Sequence, residues 1–133
     1  MTPALFWLAA TLVLAIVYIF APAFVLTQRL GMKWNAGPRD VTADPGAVAG
    51  RLARAQSNLF ETLPLVIGAV LIAHVANADA GLSALGVQVV FWSRVAYLPL
   101  YGYGIPYLRS LAWVAGLVGL GIVLFAAFTA APA

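Results

Sequence analysis

Cysteine is absent from the 133 residues. That excludes disulfides, thiolate metal sites and a cysteine nucleophile, though it identifies no redox compartment. Histidine occurs once, at His74, and a single histidine without histidine or carboxylate neighbours does not make a metal site. Its plain reading is a polar residue at an interface. Charge is scarce as well: Asp, Glu, Lys and Arg together make up 8% of the chain, against roughly 25% in a soluble domain. An ordinary soluble domain is therefore excluded, and no nucleic-acid partner is expected. The net charge of +3 is small, so the positions of the few charges carry more information than their sum.

What the chain has in abundance is apolar surface, with 64% hydrophobic residues and a mean hydropathy of +0.99. An integral membrane protein follows. At about 20 residues per crossing, the length accommodates about four spans with short connections and leaves no room for a separate soluble domain. The expected fold is an all-α bundle of four transmembrane helices.

Ala4 to Leu26 carries no charge and, at 1.5 Å per residue, crosses a hydrocarbon core of roughly 30 Å. No Lys or Arg precedes it and it exceeds a typical signal core, so it reads as a first span (4–26), not a cleaved signal peptide. Pro22 would kink or tighten its last turn. Thr27 to Asp44 is the one sizeable polar segment, a surface loop (27–44) with an interfacial turn at Met32-Lys33-Trp34. Asp44 is placed to cap the second helix and Pro45 to occupy its first position. That helix (45–77) is longer than a bilayer requires, and Pro64 within it frees the Phe60 carbonyl and invites a kink. A polar turn, Asn77 to Gly81, leads into a third span (82–103). Gly102 to Pro106 breaks the chain again before a fourth (107–129), where Gly116, Gly119 and Gly121 permit close helix approach.

Two polar stretches interrupt this apolar pattern. At about 100° per residue, Arg54, Asn58 and Glu61 share one face of the second helix, with Arg51 one turn earlier on the same stripe. In the third span Arg94, Tyr97 and Tyr101 share a face in the same way. Ionisable groups in a membrane cost a few kcal/mol each unless they face protein or a watery cavity, so a functional site is the default expectation. Glu61 is the one carboxylate in an apolar run, so a Glu61 to Arg94 ion pair is predicted. Such a pair would equally serve a purely structural role, with the tyrosines forming an interfacial belt. Arg109 stands in the first turn of the fourth helix, where a cation opposes the helix dipole. It therefore needs an anionic partner or ligand, or it snorkels to anionic headgroups.

The positive-inside rule places the first and third loops in the cytoplasm and both termini outside, because all the basic residues gather toward one side and only Asp79 marks the other. Arg51, Arg54, Asn58, Glu61, Arg94, Tyr97, Tyr101 and Arg109 are then expected to converge on one pocket near the cytoplasmic leaflet.

Arg54-Ala-Gln56-Ser57-Asn58-Leu-Phe-Glu61-Thr-Leu-Pro64, then Arg94-Val-Ala-Tyr97 with Tyr101, then Leu108-Arg109-Ser110, resembles the MAPEG family, the membrane-associated proteins in eicosanoid and glutathione metabolism. The likeness covers essentially the whole chain and suggests a bacterial-type member similar to the microsomal glutathione transferases. It implies a homotrimer of four-helix protomers in the bacterial inner membrane. Glutathione would lie between subunits near the cytoplasmic face, and a lipophilic electrophile would reach it from the bilayer. By the same likeness Arg54, Asn58 and Glu61 on helix two and Arg94 and Tyr101 on helix three would hold glutathione as co-substrate, and Arg109 would activate its thiol. Arg51 and Tyr97, on the same helix faces, are expected to bind it too, and the Tyr101 hydroxyl is placed to aid Arg109. Arg29 resembles a basic residue at the end of helix one. Gln56 and Ser57 stand where some relatives carry further basic groups, which implies a less cationic pocket, and the Gly-Ile-Pro break after Tyr103 changes the distance to Arg109.

The chemistry agrees. Glutathione has two carboxylates suited to arginine, an ammonium suited to Glu61 and a thiol whose ionisation a nearby cation favours. A glutathione-dependent transferase or peroxidase is the first functional expectation. A non-catalytic module of the same fold, binding membrane lipid or a fatty-acid carboxylate, is the second. A small transporter fits less well, since the polar residues gather toward one leaflet and form no path through the midplane.

Overall fold

The computed structural model describes residues 1–130. Its elements are α1 (Pro3–Leu30), α2 (Met32–Ala36), α3 (Gly46–Val75), α4 (Ala80–Gly102) and α5 (Pro106–Phe128). All but α2 are long and apolar enough to cross a membrane. They form an all-α bundle with the candidate spans alternating in direction, so the α1/α3 and α4/α5 connections share one end.

Helix boundaries depart from the sequence expectations at the polar segments. α1 continues to Leu30, past the expected end at Leu26, because Thr27 turns its hydroxyl back to the Ala23 carbonyl at 2.7 Å and so satisfies itself within the helix. The break comes at Gly31, whose φ of +86° is available to glycine at little cost. α2 covers the expected interfacial turn at Met32 to Trp34. Beyond it, Arg29 pairs with Asp44 at 3.0 Å, and Asp44 Oδ1 accepts the Gly46 backbone N–H at 3.0 Å. Asp44 thus caps the start of α3 as expected, but Pro45 is the flanking residue and not the first helical one. At the far end α3 stops at Val75, before the expected Asn77, which instead takes a positive φ of 50° in the turn. Asp79 caps α4, its carboxylate accepting the Leu82 N–H at 2.7 Å.

The closest helix crossing joins α4 to α5. A Cβ added to Gly86 would lie 2.7 Å from the Gly119 carbonyl oxygen, and one added to Gly119 would lie 2.6 Å from the Gly86 oxygen. The two backbones touch only because neither residue has a side chain. Gly116 makes a third close approach, beneath Ser93 and Arg94, whereas Gly121 meets nothing within 4 Å. Of the three glycines expected to permit packing in α5, two lie at the crossing and the third does not.

The core divides along the bundle axis. Leu8, Val66, Val70, Val87, Val90 and Val123 form a wholly apolar cluster toward the N-terminal end of α1. Ala15, Tyr18, Leu59, Leu63 and Tyr97 form a second toward the other end, and Arg94, the one buried charged side chain among the described residues, lies in this half. Phe6, Val13, Phe20, Phe24, Leu65 and Phe125 are all more than half exposed. Apolar surface on that scale belongs in lipid, not water.

Candidate functional site

Arg94 is the centre of the polar half. It is 2% exposed, the largest fully buried side chain among the described residues. Nη1 donates to Asn58 Oδ1 at 3.1 Å and Nη2 to Thr62 Oγ1 at 3.2 Å, while Nε has no partner. The guanidinium lies 5.2 Å from the Tyr97 ring centroid, within cation–π range. Room for it comes from Gly116, where an added Cβ would stand 3.4 Å from Nη2. The backbone beneath is held from α1, since the buried Tyr18 hydroxyl donates to the Arg94 carbonyl at 2.7 Å. Replacing Tyr18 with Phe should cost about 0.5 to 1.5 kcal/mol, read as a lower melting temperature in detergent; an unchanged melting temperature would show that this bond does not hold Arg94.

The predicted Glu61 to Arg94 ion pair does not form. Glu61 is exposed, with Ser57 Oγ 3.5 Å from its carboxylate, and the only ion pair among the described residues is Arg29 with Asp44. The reason is helical geometry. Asn58 and Thr62 are four apart and stack on the face toward α4, whereas Glu61 precedes Thr62 by one residue and so points about 100° away. Arg94 is interior as expected, but its neighbours are Asn58 and Thr62 in place of Glu61. Thr62 was legible as the i+4 companion of Asn58.

Around Arg94 the aromatic residues form a ladder. Tyr97 and Tyr101 meet edge to face at 5.4 Å between centroids. Arg109, entering from the first turn of α5, places its guanidinium 4.6 Å from the Tyr101 centroid, and the exposed Arg54 lies 6.0 Å from the same ring. A cleft of about 410 Å³ runs alongside, lined among others by Asn58, Tyr97, Tyr101, Arg109, Ser110 and Trp113. That size is within the usual range for small-molecule sites. Asn58, Tyr97, Tyr101 and Arg109 therefore line one cleft, with Arg54 and Arg94 bordering it. Trp113, absent from the sequence expectation, lies one helical turn after Arg109, and that spacing was the signal available. Its indole N–H is buried without a partner.

Arg51 goes elsewhere. Its Nη1 donates to the Gly102 carbonyl at 3.1 Å, at the C-terminal end of α4, and its guanidinium packs against Gly104. A cation there satisfies an end carbonyl and favours the helix dipole. Arg51 and Glu61 thus lie outside the cleft, which Asn58 alone of this stripe lines.

Three spans therefore bring Asn58, Tyr97, Tyr101 and Arg109 to one cleft at one end, with Arg54 and Arg94 beside it, which defines an integral membrane protein with a cationic, aromatic candidate site. The MAPEG family model matches residues 7–129, and the chain belongs to the MAPEG family. Comparison with curated proteins yields no match.

Proposed function

We propose that this protein is a membrane-bound, glutathione-dependent transferase or peroxidase acting on lipophilic electrophiles. One observation carries the reading: cations gather in and beside the cleft without an anion. Arg94 is buried against neutral oxygens alone, Arg54 and Arg109 lean on Tyr101, and no carboxylate lines the cleft. A buried cation without a counter-charge is costly, and a ligand with two carboxylates supplies what is lacking. Family membership agrees with glutathione-related chemistry.

On this reading Arg54, Arg94 and Asn58 grip glutathione, with Tyr97 as a wall. Arg109 holds the thiol sulfur as thiolate and the Tyr101 hydroxyl donates to it. The thiol proton leaves to water, the thiolate attacks the electrophilic carbon of a lipophile entering between helices, and a carbon–sulfur bond forms as the bond from that carbon to the leaving group or ring oxygen breaks, that group departing with the electron pair. Glu61, exposed on α3, is free to meet the glutathione ammonium at the edge of the cleft or across a subunit boundary. A homotrimer in the bacterial inner membrane, with both termini outside the cytoplasm, completes the proposal.

Calorimetric titration of the detergent-solubilised protein with glutathione should give saturable heat at or below millimolar ligand. No heat with glutathione, together with saturable binding of a fatty acid such as oleate, would instead support the non-catalytic lipid-binding module.

A further inference from the structure

Arg94 shares in the proposed grip on glutathione, yet its guanidinium is closed off from the cleft. The residue is 2% exposed, Nε is buried without a partner, and the Tyr97 ring stands 5.2 Å away. The cleft is lined by Asn58, Tyr97, Tyr101, Arg109, Ser110, Trp113 and Val114, and not by Arg94. Whatever Arg94 contributes by hydrogen bonding must therefore pass through a neighbour. Its side-chain bonds lead to two, Asn58 and Thr62, both on α3.

Hydrogen-bond polarity fixes how those two are turned. Arginine carries donors only. The Asn58 atom that meets Nη1 at 3.1 Å is therefore the amide oxygen, and the amide nitrogen points away from Arg94. Nδ2 has no acceptor among the described residues and is not one of the buried polar atoms left unpaired, so it keeps access to the cleft that Asn58 lines. At this position the cleft receives two donors and no acceptor. A carboxylate oxygen fits such a group, whereas an ammonium or another amide N–H does not.

Thr62 completes the arrangement one turn further along α3. Its oxygen accepts Nη2 at 3.2 Å, so its own proton goes elsewhere, and the Leu59 carbonyl at 3.1 Å and the Asn58 carbonyl at 3.3 Å are placed to take it. The planar guanidinium is thus held at two corners against one helix. Without the Thr62 hydroxyl one corner is free, the guanidinium can rotate, and the amide it holds loses its fixed orientation.

We propose that Thr62 is a positioning residue of the cleft: it anchors Arg94, and Arg94 turns the Asn58 amide so that its N–H groups face a ligand carboxylate. The identity of that ligand rests on the glutathione reading, and the orientation of the amide does not.

Two measurements on the detergent-solubilised full chain test these parts separately. The first needs no ligand and follows the asparagine side-chain amides by ¹⁵N NMR, the Asn58 pair being identified by its loss in Asn58→Asp. Thr62→Val should displace that pair, and Thr62→Ser, which restores the hydroxyl, should return it to the wild-type position. Coincident pairs in the wild type and Thr62→Val would overturn the proposal. The second is calorimetric titration with glutathione. Thr62→Val should weaken binding roughly 5- to 10-fold, the worth of one hydrogen bond, and Thr62→Ser should bind as the wild type does. In an Asn58→Ala background Thr62→Val should cause no further loss, because the residue through which it acts is gone. Equal weakening by Val and Ser, or the same loss with and without Asn58, would overturn the proposal, since Thr62 would then support the helix and not the amide. No heat from the wild type would dismiss glutathione as the ligand, and the amide signal alone then decides the role of Thr62.

Discussion

Arg109→Ala is expected to reduce glutathione-dependent turnover by about 10²-fold or more while glutathione binding remains measurable. Two effects contribute, and their magnitudes separate them. A thiol with an ordinary pKa of about 8.5 is roughly 3% ionised at pH 7, so losing a cation that merely ionises it costs at most about 30-fold. Any larger loss requires Arg109 also to stabilise charge that shifts during attack, an effect commonly worth about 10² to 10³ when one donor is removed. The pH profile distinguishes the two. The thiolate is populated above the thiol pKa, so the variant's rate should rise with pH into the alkaline range, where the wild type has already levelled. Recovery of full activity near pH 9.5 would assign Arg109 to ionisation alone, and partial recovery would assign it both roles. Turnover unchanged at pH 7 would remove Arg109 from the chemistry. Its placement 4.6 Å from the Tyr101 ring also makes Tyr101→Phe informative, because that change keeps the stacking surface and removes only the hydroxyl.

Gly119→Ala should be the most damaging single-methyl substitution in the bundle. The added Cβ would stand 2.6 Å from the Gly86 carbonyl oxygen and 2.8 Å from the Val90 nitrogen. Both are backbone atoms of a helix and cannot rotate away, so α4 and α5 must separate along the whole crossing. Overpacking of this kind typically costs about 1 to 3 kcal/mol, and the helices here lose contact at their closest point. The measurement is thermal unfolding in detergent, with Gly121→Ala as the control. Gly121 has nothing within 4 Å, so its substitution should leave the melting temperature unchanged or raise it by reducing backbone freedom. Equal effects at the two positions would show that the crossing is not held by glycine contact. Arg94 also depends on this geometry, since Gly116 on the same helix leaves the space it occupies. A shifted α5 should therefore weaken glutathione binding as well as stability.

Much of the architecture was legible in the chain because the membrane makes simple demands. A span must be long, apolar and internally hydrogen-bonded, so mean hydropathy, run length and proline or glycine breaks were enough to recognise four crossings. Their ends were less legible wherever a polar residue satisfied itself. Thr27 extends α1 by bonding backward, and Asn77 leaves α3 by adopting a positive φ, and neither act is visible in hydropathy.

The candidate site divides along the same line. Helical periodicity alone placed Arg54, Asn58, Arg94, Tyr97 and Tyr101 on faces able to meet, and the position of Arg109 at the start of the last helix put it at the same end. Which of them touch was decided by rotation and approach of the helices, which depend on Gly86, Gly116 and Gly119 letting backbones close in. That rotation turned Thr62 inward and Glu61 outward, sent Arg51 to the end of α4, and left Arg94 among neutral oxygens. The chain by itself determined how many charges enter the membrane and at which end. Only the tertiary structure decided that the buried guanidinium has no carboxylate beside it, because a difference of one residue along a helix is 100° in space and no periodicity says which side the neighbour will occupy.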